Sequence, residues 1–188
     1  MTAQPRLLFI AKPQPDVLSA MVTAVTASGL DHLLGAALFA PDNWHQSLSD
    51  RYSDEPELRD RLLHAGGRIS AVSVTMTLNR IISKSGKRGI QWAFRARGEP
   101  PEFQELLNTV QAALRAEGLS EEQGHIPHIT ISYAAPARLS SQKILPIEWT
   151  VNEILLVKGG GEEPYQYRTL GRWQLLAPPY PYAQMRLL

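Results

Sequence analysis

Two short stretches of the chain nearly repeat each other: His45-Gln46-Ser47-Leu48-Ser49 and His128-Ile129-Thr130-Ile131-Ser132. Each reads His, any residue, hydroxyl, aliphatic, Ser. Side chains alternate across a strand, so the His, hydroxyl and Ser of each copy share one polar face. Gln46/Leu48 and Ile129/Ile131 then turn the other way. A fold that uses both copies must bring two half-polar strands together. Side by side, they place two imidazoles and two hydroxyls on one surface, which suits acid–base chemistry on a phosphate.

The rest of the chain predicts an α+β domain with antiparallel sheets covered by helices. Arg6 to Lys12 reads as a buried strand ended by Pro13 and Pro15. Asp16 is placed to cap a helix in which Val17/Leu18, Met21/Val22 and Val25 follow the helical period up to Gly29. Leu33–Phe39 and Trp44–Ser49 read as extended, separated by a Pro41-Asp42-Asn43 turn. Ser53 opens a second helix that runs to Gly66-Gly67. Val72, Val74, Met76 and Leu78 alternate with polar residues, the clearest strand signal in the chain. A turn over 85–89 leads to its hairpin partner, Ile90–Arg95.

Pro100-Pro101 starts a third helix with Phe103, Leu106/Leu107, Val110 and Ala113/Leu114 on one stripe. After the second His segment come a strand over Trp149–Val157, a Gly-rich loop at 159–161 and a closing strand around Arg172–Leu176. Each half thus supplies a helix and one His-containing strand. If the halves face each other, the motifs meet in a cleft. Residues 1–176 are expected to form one domain of two lobes, with 177–188 a Pro/Tyr-rich extension.

Bulk properties exclude several alternatives. With 188 residues, 44% of them hydrophobic, the chain is long enough for one well-packed core. It has no cysteine, which removes disulfides, thiolate nucleophiles and Cys-containing zinc sites. Neither His motif offers the His-x-x-x-His helical spacing, and Ser47 lacks a G-x-S-x-G setting, so neither a metal nor a serine nucleophile is expected. Leu7–Ala11 is too short for a signal-peptide core or a membrane span, so a soluble, cytoplasmic, membrane-free protein is the expectation.

The net charge of +1 conceals a basic stretch from Arg80 to Arg97 that contains Lys84, Lys87, Arg88 and Arg95 and no acid. Trp92 and Phe94 lie inside it and mark it as a candidate RNA-facing surface. His32, in a loop, and His64, in the last turn of a helix, lack any partner pattern. His125 precedes His128 closely and is assigned a loop role.

The chemistry that needs two histidines is hydrolysis of a strained 2′,3′-cyclic phosphate. A base must take a proton from water on one side of phosphorus, and an acid must protonate the departing sugar oxygen on the other. Histidine serves either role near neutral pH. Ser47 and Thr130 are placed to donate to the equatorial oxygens, where negative charge builds. No cofactor is required.

These residues resemble the two H-x-[S/T]-x signatures of the two-histidine (2H) phosphoesterase superfamily. They are most similar to the bacterial RNA 2′,3′-cyclic phosphodiesterase group, also called 2′-5′ RNA ligases. The similarity extends to the lead-ins Pro41-Asp42-Asn43-Trp44 and Ile126-Pro127, and to the closing segment with Tyr167-Arg168-Thr169-Leu170 and Trp173-Gln174-Leu175. It implies a bilobal fold of two pseudo-symmetric lobes with the active site between them. It implies His45 as the proton donor, His128 as the base, Ser47 and Thr130 on the phosphate, and a 2′-phosphate product. The reverse reaction would join a cyclic-phosphate end to a 5′-hydroxyl.

The sequence departs from the pattern at three places: Ser47 stands for the usual Thr, Tyr133 for a frequent Arg, and Asp50-Arg51-Tyr52 for an apolar continuation. Candidate substrate contacts are Tyr133, Arg51, Arg80, Arg88 and Trp92, with Lys84 and Arg172 as further phosphate-binding cations. The expected partners are RNA 2′,3′-cyclic phosphate ends or small cyclic nucleotides, bound by a monomer. Alternative readings are 2′,5′-linked oligonucleotides or ADP-ribose cyclic phosphate as substrate, or a non-catalytic RNA-end binding module.

Overall fold

Among the described residues, the alternating and helical patterns resolve into two antiparallel sheets and four α-helices. The structure is a computed structural model that describes residues 4–86, 89–119, 125–160 and 165–178. The first sheet contains β1 (Arg6–Ala11), β2 (Gln46–Ser47), β3 (Tyr52–Ser53), β8 (Glu153–Gly159) and β9 (Tyr167–Gln174). Its order is β2-β1-β8-β9, with β3 also paired to β1. The second sheet contains β4 (Val74–Gly86), β5 (Gly89–Ala96), β6 (His128–Ala135) and β7 (Gln142–Val151), in the order β6-β5-β4-β7. The helices are α1 (Pro15–Ala27), α2 (Leu30–Leu34), α3 (Pro56–Arg68) and α4 (Pro101–Ala116). The first sheet therefore takes strands from both ends of the chain, and the second is built from its middle.

Local patterning accounts for the long elements. Val74, Met76 and Leu78 of β4 are buried while Thr75 is exposed. Phe103, Leu106, Leu107, Val110, Ala113 and Leu114 of α4 are all buried. Helices α1, α3 and α4 each carry a proline in the first turn, where its missing N–H costs no hydrogen bond. The N-caps are therefore Gln14 and Glu55 rather than Asp16 and Ser53; Asp16 lies inside the first turn and Ser53 belongs to β3.

Three segments differ from the sequence reading. The start of Leu33–Phe39 is not extended but belongs to α2 and a 3-10 turn over Gly35–Ala37, because Gly29 and Gly35 adopt positive φ at the borders of α2 and Leu30 and Leu34 bury themselves one turn apart. The Trp149–Val157 stretch is two strands in different sheets. Ile147, Trp149 and Val151 alternate on β7, whereas Ile154, Leu155, Leu156 and Val157 of β8 are buried on both faces. This change from alternating to continuous burial marks the crossing at Asn152. The Gly66-Gly67 pair does not end α3. A Cβ on Gly66 would lie 2.3 Å from the Trp173 ring, so the glycine admits the indole, which also packs against Phe9.

The main core joins faces of both sheets to the helices around Trp44, Trp92 and Trp149. No single helix among the described residues is long and apolar enough to cross a membrane. Gly66→Ala should lower stability by about 1–3 kcal/mol through the forced clash with Trp173. Gly67→Ala, with open space at its Cβ, should raise it by about 0.5–1 kcal/mol. Urea unfolding of the two variants checks this contrast.

Candidate active site

Each His motif lies on the outer edge of its own sheet. β2 pairs with β1 through Ile10 opposite Ser47, and β6 pairs with β5 through Arg95 opposite His128. The motifs are thus not neighbouring strands of one sheet but facing edges of two. Gln46, the residue between His and Ser in the first motif, holds those edges together. Its Oε1 accepts from the His128 backbone N–H at 2.6 Å, and its Nε2 donates to the Ile126 carbonyl at 3.3 Å and to that of Ser47 at 2.8 Å. Gln46 is fully buried. The sequence carried a signal for it: an amide occupies the position where the second motif has the apolar Ile129.

The lead-in to His45 is anchored on the second sheet as well. The Phe39 N–H donates to Ile131 O, Trp44 packs against Phe94, and the Trp44 indole N–H donates to Phe39 O. The last serines of both motifs serve the backbone. Ser49 Oγ accepts from Phe9 N–H, and Ser132 Oγ accepts from Ala134 N–H.

The two imidazoles are held in the same way. His45 Nδ1 lies 2.7 Å from Asn43 O, and His128 Nδ1 lies 2.8 Å from Ile126 O. A carbonyl can only accept, so Nδ1 carries a proton in both rings and Nε2 is left to exchange one. Burial lowers the pKa of His45 to about 4, against the opposing pull of the Asn43 carbonyl and with help from Arg51, Lys12 and His128. Burial also lowers His128, aided by the charges of Arg95, His125 and Lys84. The His45 ring rests edge-on against Tyr167 at 4.9 Å. Burial, followed by contact with Tyr165, keeps the Tyr167 phenol protonated.

A cleft of about 390 Å³ opens beside His128, lined also by Ser47, Arg51, Gln91, His125 and Tyr133. Thr130 Oγ1 accepts from Gln91 Nε2 at 2.5 Å, which leaves the hydroxyl proton of Thr130 free to donate elsewhere. His125, read from sequence as a loop residue, forms part of the cleft wall, with Nε2 at 3.8 Å from Asp50.

The positive charge expected beside a phosphate site comes from both sides. Lys12 and Arg51 act on His45, while Arg95 and Lys84 act on His128. Lys12 and Arg95 were not among the sequence candidates, because only strand register brings them to the site. Arg80 lies one strand beyond Arg95 and does not line the cleft. Arg172 binds both oxygens of Glu153 and is already committed there. Arg88, with Lys87, lies outside the described residues.

Trp92 is corrected. It is 2% exposed, its indole N–H donates to Ala137 O, and it belongs to the core with Phe94, so it offers no surface to RNA. His32 and His64 are exposed. Among the described residues, no group of three His, Asp or Glu side chains is arranged to hold a metal ion.

Two outcomes follow from this geometry. Gln46→Leu strands the buried His128 N–H and should cost about 1–3 kcal/mol in urea unfolding. With both pKa values depressed, the rings are neutral at pH 7.5, and an anion placed between them raises both. Phosphate binding should therefore take up protons. Calorimetry in buffers of different ionisation enthalpy should show this uptake, and His45→Ala should reduce it.

No family model and no curated protein matches the sequence. Solved structures do. E. coli LigT in its apo form aligns with a TM-score of 0.69 at 24% identity, over 92% of this chain and 99% of LigT. A structure described as a phosphoesterase gives 0.70 at 21% identity, over 92% of this chain and 99% of that one. TT0787 of Thermus thermophilus gives 0.68 at 19% identity, over 90% of this chain and 97% of that one. The chain has the two-lobed α+β fold of these proteins.

Proposed function

We propose that this chain is a two-histidine phosphoesterase that hydrolyses 2′,3′-cyclic phosphates to 2′-phosphomonoesters without a metal. The observation that carries this reading is the matched pair of Nδ1-tethered imidazoles on facing sheet edges, joined through Gln46. The fold shared with LigT, one structure of which is a complex with 3′-AMP and another with phosphate, agrees with a nucleotide phosphate as ligand.

In the proposed reaction the cyclic phosphate lies between the rings, with Ser47 and Thr130 donating to its non-bridging oxygens. His128 Nε2 takes a proton from water as the water oxygen bonds to phosphorus. The bond from phosphorus to the 3′ oxygen breaks, and that oxygen takes the proton from His45 Nε2. The division of labour suits the electrostatics. Burial and positive neighbours make protonated His45 a stronger acid than an ordinary imidazolium, and the negative charge of the substrate favours the ring that has taken a proton from solvent. With a 5′-hydroxyl in place of water as the nucleophile, and the same bond to the 3′ oxygen breaking, the product is a 2′-5′ linkage.

Phosphorus NMR of a 2′,3′-cyclic nucleotide in the presence of chelator tests the reading. The expected product is the 2′-phosphate alone, with His45→Ala and His128→Ala each slower by about 10²–10⁴-fold. Loss of turnover on chelation, or an active His128→Ala protein, overturns it. The pH profile has a definite sign. In the free protein one ring must be protonated and the other neutral, and both pKa values lie below 6.5. The bell in kcat/KM should therefore centre below pH 6.5 and fall as pH rises through neutrality.

A further inference from the structure

The register of the second sheet sets four residues in one row across its strands. His128 on β6 lies opposite Arg95 on β5, Arg95 opposite Arg80 on β4, and Arg80 opposite Lys143 on β7. Residues directly opposite one another share a face. That face is the one turned away from the core, because Phe94, Ile81 and Ile129 of the same strands are fully buried. With strands about 4.8 Å apart, the row extends roughly 14 Å from the catalytic histidine.

Such a row is unfavourable for the fold alone. Like charges in directly opposed positions destabilise a sheet. Arg95 feels Arg80 as a repelling neighbour, with Glu99 as the acid that partly offsets it. Among the described residues, none of Arg95, Arg80 and Lys143 makes an ion pair, and Glu148 lies beyond the bulge, opposite Thr77. The bulge between Leu78 and Arg80 is the irregularity that brings Lys143 opposite Arg80.

We propose that Arg95, Arg80 and Lys143 form a track for the phosphodiester backbone of a single RNA strand, leading away from its cyclic-phosphate end. The proposal rests on the phosphodiesterase reading and narrows its substrate from small cyclic nucleotides to oligonucleotide ends. A chain of evenly spaced monoanions that begins at the scissile phosphate matches cations that begin beside His128. Recognition along the track is electrostatic and indifferent to base sequence, because the aromatic residues of β5, Trp92 and Phe94, are buried beneath it.

The test compares a tetranucleotide ending in a 2′,3′-cyclic phosphate with the cyclic mononucleotide across a salt series. In the wild type, the logarithm of kcat/KM should fall more steeply with the logarithm of salt concentration for the tetranucleotide. Arg80→Gln and Lys143→Gln should each reduce that excess slope by about 0.7, the contribution of one phosphate contact on a single strand. Arg68→Gln, on α3 and paired with Glu117, should leave it unchanged.

Relief of charge repulsion should also raise the Tm of Arg80→Gln by roughly 1–3 °C. A variant that binds more weakly and melts lower has merely been destabilised, which counts against the track. Equal slopes for the two substrates in the wild type overturn it while leaving the hydrolytic reading intact. If neither substrate is cleaved, the hydrolytic reading falls. The track is then judged by the same salt series on fluorescence anisotropy of a tetranucleotide bearing a 3′-phosphate.

Discussion

The site depends on one buried carboxamide. Two sheets that meet at their edges would normally leave backbone donors and acceptors unpaired there, at a cost comparable to a lost hydrogen bond for each. Gln46 answers a donor and an acceptor of the opposite edge with its two ends. The Ile126 carbonyl to which it donates is also the one that fixes the His128 ring. Backbone closure, imidazole tautomer and the spacing of the motifs are therefore set by the same few atoms. An apolar residue would fill the space but satisfy neither partner.

The electrostatics of the free cleft follow from this closure. Both rings are drawn out of water, and cations stand on both sides: Lys12 and Arg51 by His45, Arg95 and Lys84 by His128. A site with this much positive charge and neutral histidines is poised for an anion that brings its own protonation with it. A bound anion favours the protonated form of both rings, so on the proposed reading binding itself helps to supply the acid.

What the sequence revealed depended on how local each signal was. The α4 stripe, the β4 alternation and the second His strand are patterns contained within one element, and each appears in the structure, whereas the first His strand shrinks to Gln46–Ser47 with His45 just before it. The contacts of the site that were missed involve register between distant segments. Arg95 reaches His128 only across β5 and β6, and Gln91 reaches Thr130 the same way. The crossing at Asn152 was hidden because one long apolar stretch feeds two sheets. Trp92 is a different case: Ile90, Trp92 and Phe94 alternate with Gln91 and Arg95, so parity alone placed the ring on the apolar face. Composition suggested RNA contact, and periodicity was the better guide.

The split origin of the first sheet has a consequence for how the molecule comes into being. The second sheet closes entirely within residues 74–151, through one hairpin, one helical excursion and a crossing from β6 on one edge to β7 on the other. β1, by contrast, has its long pairing with β8, from the far part of the chain. Contacts between such distant segments form late, because the intervening loop must be closed before they give any stabilisation. On a growing chain, the half that holds His128 can fold while β1 still lacks its main partner. The arrangement that brings the two histidines together is therefore completed only once β8 joins β1, and a nascent chain stalled before residue 153 would hold the His128 half ahead of the His45 half.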